Sequence, residues 1–378
     1  MPNSTAPLLS ADNPLLARYF ELRSNRGRPS RYWKIDLDAL DLSSVEPRAA
    51  SAVLPNVTAR GVVVCDLATA KREHSAIFNA AFGSAIDAQN EKFAALTTAL
   101  MEGGAFVYVP NDVCVDEPIM IEYDAHDCGI FPYTLVVAGR GAQATIVERI
   151  SGGSGAFVCG VSEIVTAESA HVTYASIQNL PDDARIIFTR DAKPGRDAQV
   201  HWAVAELGAG LTVGGIDVAI EQTGVTAQIT GLFFPSGEQH VDMKSTIDHT
   251  VGESQSNTLI KSAAIGNGQA RYLGNIRIAP DAQGSNANLR DDALLLSTKA
   301  HIDSIPALEI AANDVKAYHG ATVGALDEEQ IFYMTSRGIA RNDAEKMIAL
   351  GFFEPAIERF PGEALREELR AALRAKVG

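Results

Sequence analysis

The chain predicts a mainly β fold, a solenoid of short stacked strands with helical regions at both ends. Three observations point there. Helical periodicity stops at "GAFVYVP" (104–110) and does not return until residue 326. Between these points run short Val, Ile, Tyr and Thr alternations broken by Gly, Asp, Asn and Pro, such as "TLVVAGRGAQATIVERI" and "GIDVAIEQTGVTAQITGLFF". Ala142, Ala170 and Ala198 each open an alternating strand, in "GAQATIVE", "SAHVTYAS" and "DAQVHWAV", 28 residues apart, and Val225 follows 27 later. A near-constant period of this size is the signature of a stacked repeat. One coil of two or three strands cannot bury its apolar face alone, whereas stacked coils share a continuous interior. Small Ala and Gly at the corners allow tight turns. A β-sandwich gives similar short strands and is the competing fold.

The remaining elements follow in order. "NPLLARYFELRS" makes a short helix, after which Pro29, Pro47 and Pro55 punctuate a loose arm. "GVVVC" reads as a strand. "DLATAKREHSAIFNAAFG" reads as one helix, capped by Asp66 and closed by Gly83. In "DAQNEKFAALTTALMEGG", Phe93, Leu96, Thr97 and Leu100 fall at helical spacing, with Gly103 and Gly104 as terminators. Past the strands, Asp327 caps a helix with Gln330 completing a capping box, and Gly338 ends it. Ala344, Met347, Ile348, Gly351 and Phe352 mark one face of a second helix, and Leu365, Leu369 and Leu373 one face of a third. The expected units are 1–104, helical and mixed; 105–325, the β core; and 326–378, a helical domain.

At 378 residues and 46% hydrophobic, the chain can bury a large core, and its length suits two or three units. A formal net charge of −15 with no polybasic run argues against a nucleic-acid groove or an anionic membrane surface. The first twenty residues lack a basic n-region, and no apolar run reaches the roughly 18–20 residues that span a bilayer. Cys65, Cys114, Cys128 and Cys159 show no CxxC spacing, so each reads as a small buried hydrophobe in a reducing cytoplasm.

Catalytic signals are sparse. No G-x-S-x-G, Walker A loop or dinucleotide fingerprint occurs, and "GRGAQA" and "GNGQAR" read as turns. A β-helix polysaccharide lyase or hydrolase would draw on Asp182-Asp183 or Asp291-Asp292. Adjacent acids on one strand point to opposite faces, however, so neither pair makes a two-carboxylate site alone. The eight histidines are scattered. His240 and Asp242 share a strand face and could touch one metal, or stand as a solvated surface pair. His171 and His201 read as equivalent repeat positions. His319 lies in "VKAYHGATVG", at the seam between strands and helices, either as a hydrogen-bonded turn residue or as a ligand.

The stretch "LEIAANDVKAYHGATVGALDEEQIFYMTSRGIARNDAEKMIALGFFEP" closely resembles the C-terminal signature of the SufB/SufD family, scaffold subunits of the SUF iron–sulfur cluster assembly system. "KFAALTTALMEGGAFVYVPNDVCVDEPIMI", "AHVTYASIQNLP" and "NTLIKSAAIGNGQARYLGNIRIAPDAQGSNANLRDDALLLS" agree with it, and "SRYWKIDLDAL" resembles the family's W-x-x-T-D-L arm. The resemblance implies a right-handed parallel β-helix core with N-terminal and C-terminal helical regions, and a non-enzymatic role. B-type subunits carry a cysteine in a Q-C-D-S-like context where this chain reads "LRDDALLLS". Asp291 falls at about that position and no cysteine follows Cys159, so the resemblance is to the D-type, SufD-like branch.

In that branch His319 resembles a histidine at the interface with the B-type subunit, implicated as a ligand to iron or a cluster; imidazole suits iron. Ala317 stands where D-type chains can carry a cysteine, so this segment offers the imidazole alone. The resemblance therefore implies a transient iron–sulfur cluster or iron at a shared interface, with none bound by this chain alone. It implies a heterodimer with a SufB-type subunit, with a homodimer possible in isolation. The ABC-type ATPase SufC would dock on the C-terminal helices through Asp327, Glu328, Gln330, Phe332, Tyr333, Arg337, Gly338, Ala344, Met347 and Phe352. Those faces could equally cap the β core.

Overall fold

The structure is a computed structural model describing residues 13–22, 35, 37, 40, 42, 45–55, 57, 59–126 and 128–378. The "SRYWKIDLDAL" arm and Pro29 lie almost wholly outside the described residues. Helix α1 (Pro14–Glu21) precedes short strands β1 (Pro47–Arg48), β2 (Ala52–Val53) and β3 (Val63–Asp66). Helices α2 (Leu67–Glu73), α3 (Ser75–Ala81) and α4 (Lys92–Leu100) follow. Asp66 caps α2 by accepting from the Thr69 amide at 2.9 Å. The single helix expected over 66–83 is two, because His74 leaves helical geometry (φ −124°, ψ 29°) and serves as the C-cap of α2 and N-cap of α3.

Strands then alternate between two sheets. The first sheet receives β4 (Gly104–Val109), β6 (Gly129–Ile130), β7 (Tyr133–Ala138), β9 (Phe157–Thr166), β11 (Arg185–Lys193), β13 (Leu211–Ile220), β15 (His240–His249), β17 (Gln269–Ile278) and β19 (His301–Ile310). The second receives β5 (Ile119–Ala125), β8 (Gln143–Gly152), β10 (His171–Gln178), β12 (Gln199–Glu206), β14 (Thr226–Phe233), β16 (Gln255–Ala264), β18 (Asn286–Leu295) and β20 (Lys316–Ala325). Each coil is thus one strand from each sheet, and every coil-to-coil pairing is parallel. The result is a β-helix of about eight turns with helices at both ends, which decides against the sandwich.

The expected period is real, and the backbone explains it. Gly141, Ser169, Asp197, Gly224, Glu253 and Gly284 occupy successive copies of one corner, all in the left-handed region. The amide of each bonds the corner of the next coil, as in Ser169 N to Arg196 O at 2.8 Å. Three of the six are not glycine; each costs of order 1 kcal/mol of strain, held by the stack. The residues just after the first four corners are Ala142, Ala170, Ala198 and Val225, none measurably exposed.

Inside, the two sheets enclose a lumen packed by Ile146, Tyr174, Trp202, Ile229 and their stacked neighbours. Outside, each sheet has a helical cover. Helices α1 and α4 lie against the first sheet through Leu16, Phe93, Leu96, Phe157 and Ile187. Helices α5 (Glu328–Ser336), α6 (Arg341–Ile357) and α7 (Glu363–Val377) end the chain, and α6 and α7 lie against the second sheet through Phe353, Leu369, Leu373, Ala203 and Phe234. The face expected for α6 is rotated. Its buried stripe is Ala344, Ala349, Phe353, Ala356 and Ile357, while Met347 is 55% exposed. The sheet, absent from a helical wheel, chose that stripe. No helix among the described residues is long and apolar enough to cross a membrane.

Candidate functional site

The two final strands define the site. β19 pairs on one side with β17 and β20 on one side with β18, and no described strand covers their other edges. Strand parity fixes which side chains enter the lumen. Ala287, Leu289, Asp291 and Ala293 of β18 alternate inward, and their register partners on β20 are Ala317, His319, Ala321 and Val323. His319 is therefore a mid-strand residue facing the lumen of the last coil, not a turn residue as one reading expected. It is nevertheless exposed, as is Val323, because no described coil lies above them. Among the described residues no hydrogen bond reaches the His319 ring, and no group of three or more His, Cys, Asp or Glu could hold a metal.

Opposite orientation of the paired acids is borne out. Asp291 points into the lumen, where its carboxylate accepts from the Ser304 hydroxyl of β19. It is 1% exposed, and burial pushes its pKa up to about 7, with the negative charge of Asp292 adding to the rise. Asp292 points outward beneath α6. It is held by Lys261 at 2.8 Å, Arg290 at 2.7 Å and the Thr322 hydroxyl at 2.8 Å. Burial works against its ionisation, but the bonds from Lys261 and Thr322 and the charges of Lys261 and Arg290 outweigh it and hold the pKa below the usual carboxylate range. Lys261 in turn sits 4.4 Å from the Phe352 ring. Asp182 accepts from Gln239 at 2.7 Å and Asp183 from the Ser154 hydroxyl. Neither pair presents two carboxylates to one space.

The other histidines have separate surroundings. His171 stacks on Gln199, and His201 on Thr173, so the two share a face but not a repeat position, two residues out of register. Burial drives the pKa of His201 down to about 4, helped by the charge of Arg359. His249 lies between Ser254 (2.7 Å) and Ser256 (2.9 Å), and burial alone lowers its pKa to about 4. His240 and Asp242 do share a face, but Asp242 is fully buried and paired with Arg271 at 2.5 Å, which corrects the solvated pair. Cys128 and Cys159 are buried as expected, Cys65 is partly covered, and Cys114 is exposed.

The helices beside the mouth present a mixed surface. Phe332 and Tyr333 of α5 are 73% and 61% exposed, and Met347 of α6 is exposed as well. Arg337 lies over the Tyr333 ring at 5.3 Å. Asp327 caps α5 by accepting from the Glu329 amide at 2.9 Å, and Glu328 pairs with Arg341 of α6. Gln330 and Gly338 are also exposed, and Gly338 takes a left-handed φ of +89° just past the helix. Two of the anticipated contact residues turn away from solvent: Ala344 is fully buried and Phe352 half-buried over Lys261.

Parallel coils, covered outer faces and a last coil that no described strand covers make this a β-solenoid protein. The SUF system FeS cluster assembly SufBD core domain matches residues 121–352, and the SufBD protein N-terminal region matches 45–121. The chain belongs to the SufBD family. It is 30% identical over 327 residues to the iron-sulfur cluster assembly protein SufD of Bacillus subtilis, covering 84% of this chain and 74% of that protein. It is also 30% identical over 309 residues to an iron-sulfur cluster assembly SufBD family protein of Staphylococcus epidermidis, covering 80% of this chain. A Staphylococcus saprophyticus protein of the same description is 28% identical over the same length. The match spans 66% of each of these two staphylococcal relatives.

Proposed function

We propose that this chain is a D-type scaffold subunit in iron–sulfur cluster assembly in a reducing cytoplasm, and not an enzyme. Its uncovered last coil pairs with the matching end of a B-type subunit. Its α5–α6 surface engages an ABC-type ATPase, and iron or a nascent cluster is cargo passed at the joint, with His319 as this chain's imidazole. Residues 1–104, 105–325 and 326–378 act as the three working units of that subunit. The observation that carries the reading is the lumen left open around His319 and Val323, together with exposed Phe332 and Tyr333 on α5, the helix that follows β20 in the chain. Unpaired strand edges and apolar lumen residues are costly to leave in water, and a second chain's edge satisfies both. Exposed aromatics next to Arg and Glu have the composition of a protein contact.

Co-expression with a B-type paralogue and its ATPase, followed by affinity purification and mass measurement, tests this. A complex of all three is expected. Val323→Glu should release the B-type subunit, and Phe332→Ala with Tyr333→Ala should release the ATPase. A chain that stays alone in the presence of both would overturn the reading.

A further inference from the structure

We propose that Asp291 joins His319 in binding a divalent first-row metal ion at the mouth of the solenoid, with Ser304 positioning the carboxylate. The choice of ferrous iron as that ion rests on the assembly role proposed above, whereas the site itself rests on geometry.

His319 stacks on Leu289 and Ala321 on Asp291, so His319 and Asp291 are diagonal neighbours on the lumen side of adjacent strands. Strands about 4.8 Å apart with a rise of about 3.3 Å per residue put such neighbours about 8 Å apart at Cα. Two side chains reaching toward each other close that span on one ion, with bonds of about 2.1 Å to nitrogen and oxygen. Ser304 occupies one carboxylate oxygen of Asp291, while Oδ1 is buried and has no hydrogen-bond partner. The cations nearest in sequence and register, Lys261 and Arg290, are committed to Asp292 on the outer side of the sheet. A buried carboxylate with an unused oxygen calls for a positive partner, and a carboxylate beside an imidazole is a donor pair that iron accepts.

The local packing directs that ion to the open end. Below, the floor is closed: Tyr272 bonds Ser245 at 2.5 Å, and a Cβ built on Gly274 would lie 2.4 Å from Leu289 Cδ1 and 2.9 Å from the Tyr272 ring. Above, the residue stacked over Asp291 is Ala321, so on its own sheet only a methyl group separates the carboxylate from the mouth. Both residues flanking His319 on that side of β20, Ala317 and Ala321, are small.

Anaerobic equilibrium dialysis of ferrous ion against the full chain, with cobalt(II) absorption as a second reading, tests the site. Asp291→Asn and His319→Ala each remove a ligand and are expected to weaken binding at least about 10- to 100-fold, the range set by loss of a mere outer-shell partner. Because they act on one ion, the double variant should lose little more than the weaker-binding single. Ala321→Leu, which leaves Asp291 in place and fills the space above it, should also weaken binding. Wild-type affinity in a folded Asp291→Asn protein, or no saturable binding by the wild-type chain, overturns the proposal. Should Asp291→Asn fail to fold, unchanged affinity in Ala321→Leu does the same. Metal binding that needs Asp291 in a chain that never joins a B-type subunit would sink the assembly role and leave this site standing.

Discussion

The two ends of the solenoid solve the same problem in opposite ways. At the first coil, β3 runs antiparallel onto β4 and β2 antiparallel onto β5, and Leu54, Val62 and Val64 pack on the end of the lumen. Helices α2 and α3 close the side with Leu67 and Phe78. At the last coil nothing described covers β19 and β20, and Ile310, Val323 and His319 face solvent. Stacked repeats need caps because the terminal coil otherwise exposes both apolar surface and strand edges. Among the described residues the first coil is capped and the last is not, which is the arrangement the proposed pairing with a second chain requires.

Placing a carboxylate at each end is the sharpest way to break that contrast. Val64→Glu should cost about 2–3 kcal/mol of folding stability, because a charge enters a partly closed interior. Val323→Glu should change stability by no more than about 0.5 kcal/mol while weakening partner association at least about 100-fold, as expected for a central contact. Denaturant melts and sedimentation of the two variants read both quantities. Equal destabilisation at the two ends would show that the last coil is closed after all.

A second effect separates the interior from both ends. His201 and His249 have pKa values near 4 in the fold against 6.5 for the free side chain. Protons therefore favour the unfolded state, and stability present above pH 6.5 is lost as pH falls toward 4. The slope approaches about 1.4 kcal/mol per pH unit for each histidine. His249→Gln should flatten the acid limb of a melting-temperature profile. The smallest expected effect is on the exposed faces of the helices. Phe332→Ala and Met347→Ala should each shift stability by less than about 0.5 kcal/mol, in contrast to Phe353→Ala, whose buried ring makes a loss of about 3–5 kcal/mol the expectation.

What could be read from the residues follows the physics of each element. The coil period was legible because the corner geometry recurs and demands small residues beside it, hence Ala142, Ala170 and Ala198. Which side of each strand faces the lumen was not, because both sheets are covered outside as well as inside, so alternation is masked by apolar residues on both faces. Tyr174 and Ala175 of β10 show this, both fully buried on opposite sides. For the same reason the inward aim of His319 and Asp291 emerges only from the register of β18 with β20. The α6 stripe was misread because the sheet that selects Ala349 and Phe353 lies far away in sequence. The pairing of Asp242 with Arg271 spans adjacent coils and left no local signal.

Asp292 carries one last consequence. Its carboxylate grips Thr322 in the outermost strand and Lys261 two strands inward, and Lys261 lies against Phe352 on α6. Helix and rim are thereby fastened at one point. A force that lifted α6 off the sheet would strip the cover from this ion pair and tug on the strand that carries His319. The rod would register at its tip a disturbance applied along its flank.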